Sequence, residues 1–203
     1  MSFFYFFKRI LLLILILLIL GISVPGWAKE PTDQIKQTTD RILSIVTDSA
    51  LKSPSKAQEK RRLIRRAVDG LFDWEEMAHR SLARHWDQRT AEEKKEFVRL
   101  YSDLLERTYM EKVEGYSGEK ITYEGETIEN GYAVVKVKIA TKKNNDIHVE
   151  YRLRKEGNKW LVYDVLIEGI SLVNNYRAQF NSIISQSSYE KLVKRLRDKV
   201  ELK

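Results

Sequence analysis

The chain contains no cysteine. That excludes disulfide staples, thiolate nucleophiles, CxxC redox chemistry and cysteine-ligated zinc, so the fold rests on burial alone. Glycine is scarce, nine residues in 203, and no GxSxG, Walker or GxGxxG sequence occurs. No glycine-rich cradle for phosphate is therefore available. Histidine is rarer still, at three residues. His79 and His85 are six apart, on different helix faces and not in the i, i+4 relation of a metal pair, and His148 sits on the polar side of an alternating strand. No metal and no cofactor is expected. The adjacent carboxylates Glu75-Glu76 and Glu92-Glu93 stand at helix starts, where they favour the positive end of the dipole. Sequence neighbours on a helix point apart, so neither pair faces itself across a cleft as acid catalysis requires. No catalytic group is assigned.

What the sequence does have begins at its N-terminus. Lys8 and Arg9 precede an apolar run from Ile10 to Ile22, followed by Pro25, Gly26, Trp27 and Ala28. A positive start, a short apolar stretch and small residues at the third-last and last positions describe a secretory signal cleaved after Ala28. A membrane-spanning helix needs about 20 apolar residues, more than this stretch supplies. Residues 1–28 are read as the leader and residues 29–203 as one exported domain. Its loss takes the formal net charge from +7 to +5. In a cytoplasmic protein a basic balance points to nucleic acid. Export turns it toward an anionic membrane surface or an acidic protein partner, with no nucleic acid.

Periodicity divides the rest. Thr32 and Asp33 offer caps for a helix with Ile35, Ile42, Leu43, Val46 and Ala50 on one face, ended by Ser53-Pro54. A second helix starts near Lys56 with Leu63, Ile64, Ala67, Val68 and Leu71 as its stripe, and a third runs from Trp74 to Trp86. Thr90 with Glu93 is a capping box opening a long helix that fades near Gly115. The period then becomes two. Residues 121–128 form a weak strand, Asn130-Gly131 a hairpin turn, and Tyr132–Thr141 a second strand. After a turn at residues 144–146, Ile147, Val149, Tyr151 and Leu153 share one face of a third strand; a turn at Gly157-Asn158 leads to a fourth over Trp160–Ile167, and Gly169 closes the sheet. Two helices end the chain. Helices and strands that do not alternate predict an α+β fold, a four-stranded antiparallel meander wrapped by helices.

Two features carry charge worth following. Asp164 lies inside the apolar fourth strand, where a bare carboxylate is costly. It reads as an active-site acid or, the reading preferred here, as a structural pair with an arginine such as Arg177 or Arg152. The run Lys60, Arg61, Arg62, Arg65, Arg66 makes a basic stripe down the second helix. A solvated face is one reading, a docking surface for anionic lipid or an acidic partner the other.

Four segments together resemble a known family: LFDWEEMAHRSLARHW (Leu71–Trp86), EFVRLYSDLLERTY (Glu96–Tyr109), VEYRLRKEGNKWLVYDVLIEGISLVNNYRAQF (Val149–Phe180) and YEKLVKRLR (Tyr189–Arg197). They look like the MlaC, or toluene-tolerance, family, the periplasmic phospholipid-binding components of a lipid-asymmetry ABC transport system. The most specific part is W-x-V-Y-D-V-x-I-E-G-x-S-L-V-x-x-Y-R-x-x-F, Trp160–Phe180. One departure is Ala83, where the family pattern has a glycine.

The resemblance implies a mixed fold enclosing an apolar pocket for acyl chains. It also implies a monomeric periplasmic carrier moving phospholipid between an outer-membrane lipoprotein complex and an inner-membrane ABC transporter complex with an MCE ring. A protein-binding adaptor without lipid, and an enzyme on a related α+β cone, are the alternatives. Strand parity and helix stripes nominate Val135, Val137, Ile139, Val149, Tyr151, Leu153, Val165, Phe97, Leu104 and Tyr109 as pocket walls, and Arg61, Arg62, Arg65 and Arg66 as the docking stripe.

Overall fold

The computed structural model describes residues 30–141 and 145–201. The leader assigned to residues 1–28 and the residue at 144 in the expected turn lie outside the described residues. The fold is α+β as expected, with one correction to the sheet: it has five strands, not four.

Helix α1 spans Pro31–Thr47. Proline suits the first turn, where its missing N–H is no loss. The expected Thr32 or Asp33 cap is not used. Glu126, far along the chain, accepts hydrogen bonds from the Thr32 N–H at 2.8 Å and its hydroxyl at 2.6 Å. A carboxylate from elsewhere thus satisfies one of the free N–H groups at the helix start. The helix ends at Thr47, earlier than Ser53-Pro54, and two short 3-10 turns, Ser49–Leu51 and Pro54–Lys56, fill the connection. Ala50 is exposed and plays no part in the apolar face.

Helix α2 spans Ala57–Asp69 and buries Ile64 and Ala67. Leu71 is buried beyond its end, in a short extended stretch that pairs with the later strand β4. Helix α3, Trp74–Leu82, stops before Trp86. Ala83 interrupts it with φ 48° and ψ −123°, and a 3-10 turn, Ala83–His85, follows. Helix α4, Ala91–Glu114, opens on the expected capping box, with the Glu93 N–H donating to Thr90 at 3.2 Å and the Thr90 N–H to Glu93 at 2.9 Å.

The sheet is a strict antiparallel meander of β1 (Lys120–Glu129), β2 (Tyr132–Ala140), β3 (Asp146–Glu156), β4 (Lys159–Ile167) and β5 (Ile170–Ser171). Asn130-Gly131 makes the predicted hairpin, both residues at positive φ as a tight turn requires. Glu168-Gly169 repeats that signature, φ 50° and 77°. Gly169 therefore turns the chain back instead of closing the sheet, and β5 pairs Ile170 with Ile167. The two-residue strand was too short to read from a period of two.

Helices α5 (Leu172–Gln186) and α6 (Tyr189–Glu201) complete the chain. They pack with α3 and α4 into a helical core in which Phe97, Tyr101, Tyr176 and Phe180 meet mostly edge to face, at centroid distances of 5.5–6.1 Å. A second core lies on one face of the sheet, under Ile35, Leu71 and Leu172.

Candidate functional site

The strand register sorts that apolar sheet face into four rows. The outermost holds Ile121, Ile139 and Ile147. Next come Tyr123, Val137, Val149, Ile167 and Ile170, then Glu126, Val135, Tyr151 and Val165, and innermost Ile128, Ala133, Leu153 and Val162. Rows are about 6.7 Å apart, two residues along a strand. Burial deepens in the same direction. Val135, Leu153 and Val162 are fully buried, the isoleucines of the first row are partly exposed, and Ile170 is 63% exposed. The face is therefore an apolar wall that ends in a cluster of isoleucines at an accessible rim. The edge strand departs from the gradient, with Glu126 exposed and Ile128 47% exposed.

Helix α1 straps this face. Its first turn holds β1 through Thr32 and Glu126, and it holds the other long edge strand through Gln34, whose side-chain oxygen accepts from the Trp160 N–H at 3.0 Å while its amide donates to the Trp160 carbonyl. One helical turn thus ties edge strand to edge strand. At Val162 the edge of β4 is closed by the preceding segment, the Val162 N–H donating to the Leu71 carbonyl and the Asp73 N–H to the Val162 carbonyl, each at 2.9 Å.

The proposed walls divide. Val135, Val137, Val149, Leu153 and Val165 are buried on this face, and Ile139, Tyr151 and Tyr109 pack against the same cluster. Phe97 and Leu104 belong to the helical core instead. Tyr109 touches both. Sequence reasoning missed Tyr123, Ile121, Ile167 and Ile170. The β1 pair was obscured because a bulge between Tyr123 and Gly125 breaks the alternation there.

Two phenols stand in the wall. The Tyr123 hydroxyl is buried without a hydrogen bond of good geometry; Thr39 of α1 is near enough to interact with it weakly, and the Asp40 charge acts on it from the same helix. Burial pushes its pKa up. Tyr151 stands two strands away, one row further in. Burial, with a smaller contribution from Tyr123, pushes its phenol up to about 12.

The opposite sheet face is polar. Lys138 pairs with Asp146 at 3.5 Å and Arg154 with Asp73 at 2.6 Å, and a depression of about 120 Å³ there is lined by Glu124, Lys136, His148, Glu150 and Leu166. Asp164 is buried near this side. Its carboxylate accepts from the Ser171 hydroxyl at 2.7 Å and the Val173 N–H at 3.1 Å, holding the start of α5. Of the two arginines expected to pair with it, Arg152 lies 4.0 Å away, while Arg177 donates to the Arg80 carbonyl.

The basic stripe also divides. Arg65 turns inward and donates to Asp69, Asp103, Glu106 and Ser102 at 2.5–3.1 Å, under the Trp74 ring. Burial opposes its charge, but these carboxylates outweigh it and raise its pKa. Arg61 pairs with Glu114 at 3.4 Å. Arg62 and Arg66 are exposed and form no ion pair among the described residues.

Comparison with known proteins bears on the family and the fold. The intermembrane phospholipid transport system binding protein MlaC of Haemophilus influenzae is 21% identical over 167 residues, covering 80% of this chain and 78% of that protein. A phospholipid-binding protein from Ralstonia solanacearum, solved in complex with a phospholipid, shares the fold at a TM-score of 0.76 and 23% identity, over 85% of this chain and 97% of that one. Residues 36–198 match the family described as MlaC protein, nearly the whole of the described structure, and the chain belongs to that family.

Proposed function

We propose that the protein is a periplasmic phospholipid carrier. It shelters the acyl chains of one diacyl lipid against the apolar sheet face, with the head group at the isoleucine rim. One observation carries this reading: a continuous apolar face, graded from full burial at Val135 and Leu153 to an open edge at Ile170. Each methylene left in water costs about 0.8 kcal/mol, so a carrier must hide most of both chains. Apolar walls and shape suffice for that, and no catalytic group is needed.

The family supports the rest of the reading. The Haemophilus protein is named for an intermembrane phospholipid transport system, and the Ralstonia protein holds a phospholipid. On this basis the carrier exchanges lipid with an inner-membrane ABC transporter complex and an outer-membrane lipoprotein complex, after export on the leader at residues 1–28. Among the described residues no helix is long and apolar enough to cross a membrane. The outward pair Arg62 and Arg66 is the part of the stripe left to meet an acidic or anionic partner.

Native mass spectrometry and lipid extraction of the purified protein test the proposal. One phospholipid per chain is expected. A protein that carries none, and takes none from vesicles, is not a carrier, and the adaptor reading replaces it.

A further inference from the structure

The wall is apolar but not featureless. In its four rows Glu126 alone carries charge, and that carboxylate is engaged by Thr32. The polar groups left over are the phenols of Tyr123, one row in from the rim, and Tyr151, a further row in. A buried donor without an acceptor is costly, and it persists only where something offsets the cost. At Tyr123 the nearby Thr39 supplies at most a weak contact, and no partner of good hydrogen-bond geometry is present among the described residues.

A ligand that enters from the rim brings its own groups to these depths. A phosphate is a poor match, since no cation in these rows would offset its burial. Bare hydrocarbon is also a poor match, because it leaves both donors unpaired. Ester carbonyls are neutral acceptors, and in a diacyl lipid they lie just below the head group, where the chains begin. We infer that the Tyr123 and Tyr151 hydroxyls donate hydrogen bonds to the ester carbonyls of the bound lipid, so that this face selects ester-linked diacyl lipids over chains without carbonyls. The inference rests on the carrier reading and names the part of the cargo that the wall recognises.

The selectivity resembles that of any site built to pair a buried donor: an analogue lacking the acceptor is rejected more strongly than its loss of area explains. Two probes isolate it, dipalmitoyl phosphatidylethanolamine and its dihexadecyl ether analogue, which share head group and chain length and differ in the two carbonyls. The wild-type protein is expected to bind the diester about tenfold more tightly than the diether. In Tyr123→Phe with Tyr151→Phe that preference disappears, and the diester binds as weakly as the diether does to wild type. Either single substitution gives an intermediate preference and provides the measurement if the double variant folds poorly. Thermal unfolding of the lipid-free Tyr123→Phe protein should be unchanged or higher, since an unpaired hydroxyl has been removed. Equal affinity of wild type for the two lipids, or a preference that survives both substitutions, overturns the inference and leaves the carrier intact. Failure of wild type to bind either lipid overturns the carrier reading itself.

Discussion

Gln34 grips the backbone of Trp160 from both sides, its side-chain oxygen taking the N–H at 3.0 Å and its amide reaching the carbonyl. A side-chain amide here does what a neighbouring strand would do. The edge of β4 at this point has no other partner for these groups, and the helix gains a fixed seat on the sheet. Gln34→Ala removes both bonds and leaves two backbone groups to water or to nothing. A loss of about 1–3 kcal/mol is expected, measured by urea unfolding. Gln34→Glu keeps the acceptor but not the donor, and should fall between alanine and wild type.

Asp164→Asn tests the anchor of α5. The substituted amide presents a donor toward either the Ser171 hydroxyl or the Val173 N–H, both of which already donate. About 1–3 kcal/mol of stability should go. The larger cost of a stranded buried charge does not arise, because Arg152 lies 4.0 Å away and its side chain is 37% exposed. Lipid binding by the folded variant should persist; a fully stable variant that has lost binding would make Asp164 part of the site.

Much of this architecture is legible in the sequence. The capping box at Thr90 and Glu93, the Asn130-Gly131 hairpin and the alternation of Ile147, Val149, Tyr151 and Leu153 each follow from local chemistry, and each is present. What escapes is non-local. No sequence pattern shows that Glu126 will cap a helix 94 residues earlier, or that Phe97 and Leu104 will turn toward α5 and α6 and not toward the sheet. An amphipathic stripe announces that it will be buried without saying against what. The stripe of arginines fails in the same way: Arg65 and Arg66 are neighbours, yet one is clamped by carboxylates from α4 and the other faces water.

Ala83 is held at φ 48° and ψ −123°, a conformation that L residues avoid and glycine adopts freely. Residues held there cost of order 1–3 kcal/mol. Ala83→Gly recovers that strain less the entropy glycine loses, for a net gain of about 1 kcal/mol. Calorimetry should show the midpoint rising by about 2–4 °C. A fall in the midpoint would mean the alanine methyl contributes more in packing than its backbone loses in strain.

Arg62→Glu with Arg66→Glu should leave stability nearly unchanged, because neither arginine holds an ion pair within the described structure. If the pair docks an anionic partner, transfer to that partner slows while lipid affinity stays put, since rim charges act on encounter. The wild-type rate should itself drop as salt rises. Wild-type transfer by the variant at low salt would leave this helix face with no role beyond solvation. Arg65→Ala, by contrast, is expected to unfold the protein more readily while saying nothing about docking.

Alkaline pH should destabilise the fold. Burial raises the phenols of Tyr151 and Tyr189 to about 12 from an ordinary value of 10.0, and raises Tyr101 as well. Groups raised in the folded state contribute stability that is complete below pH 10 and lost as pH climbs through 12. Phenolate absorbance and circular dichroism recorded together across that window should change in step. Buried tyrosines that ionise near pH 10 with the dichroism intact would contradict the burial assigned to them.

The meander has a consequence for the order in which the molecule assembles. Each strand pairs with its sequence neighbour, and three of the four turns are two residues long, at Asn130-Gly131, Gly157-Asn158 and Glu168-Gly169. Such a ladder can zip locally, with little loop entropy to overcome at each step. Helix α1 cannot join so early. Its anchors lie 94 and 126 residues away, on the two long edge strands, and the second does not exist until β4 is in place. The first of the described elements in chain order is therefore the last to find its seat, and the apolar face stays uncovered until the whole sheet stands.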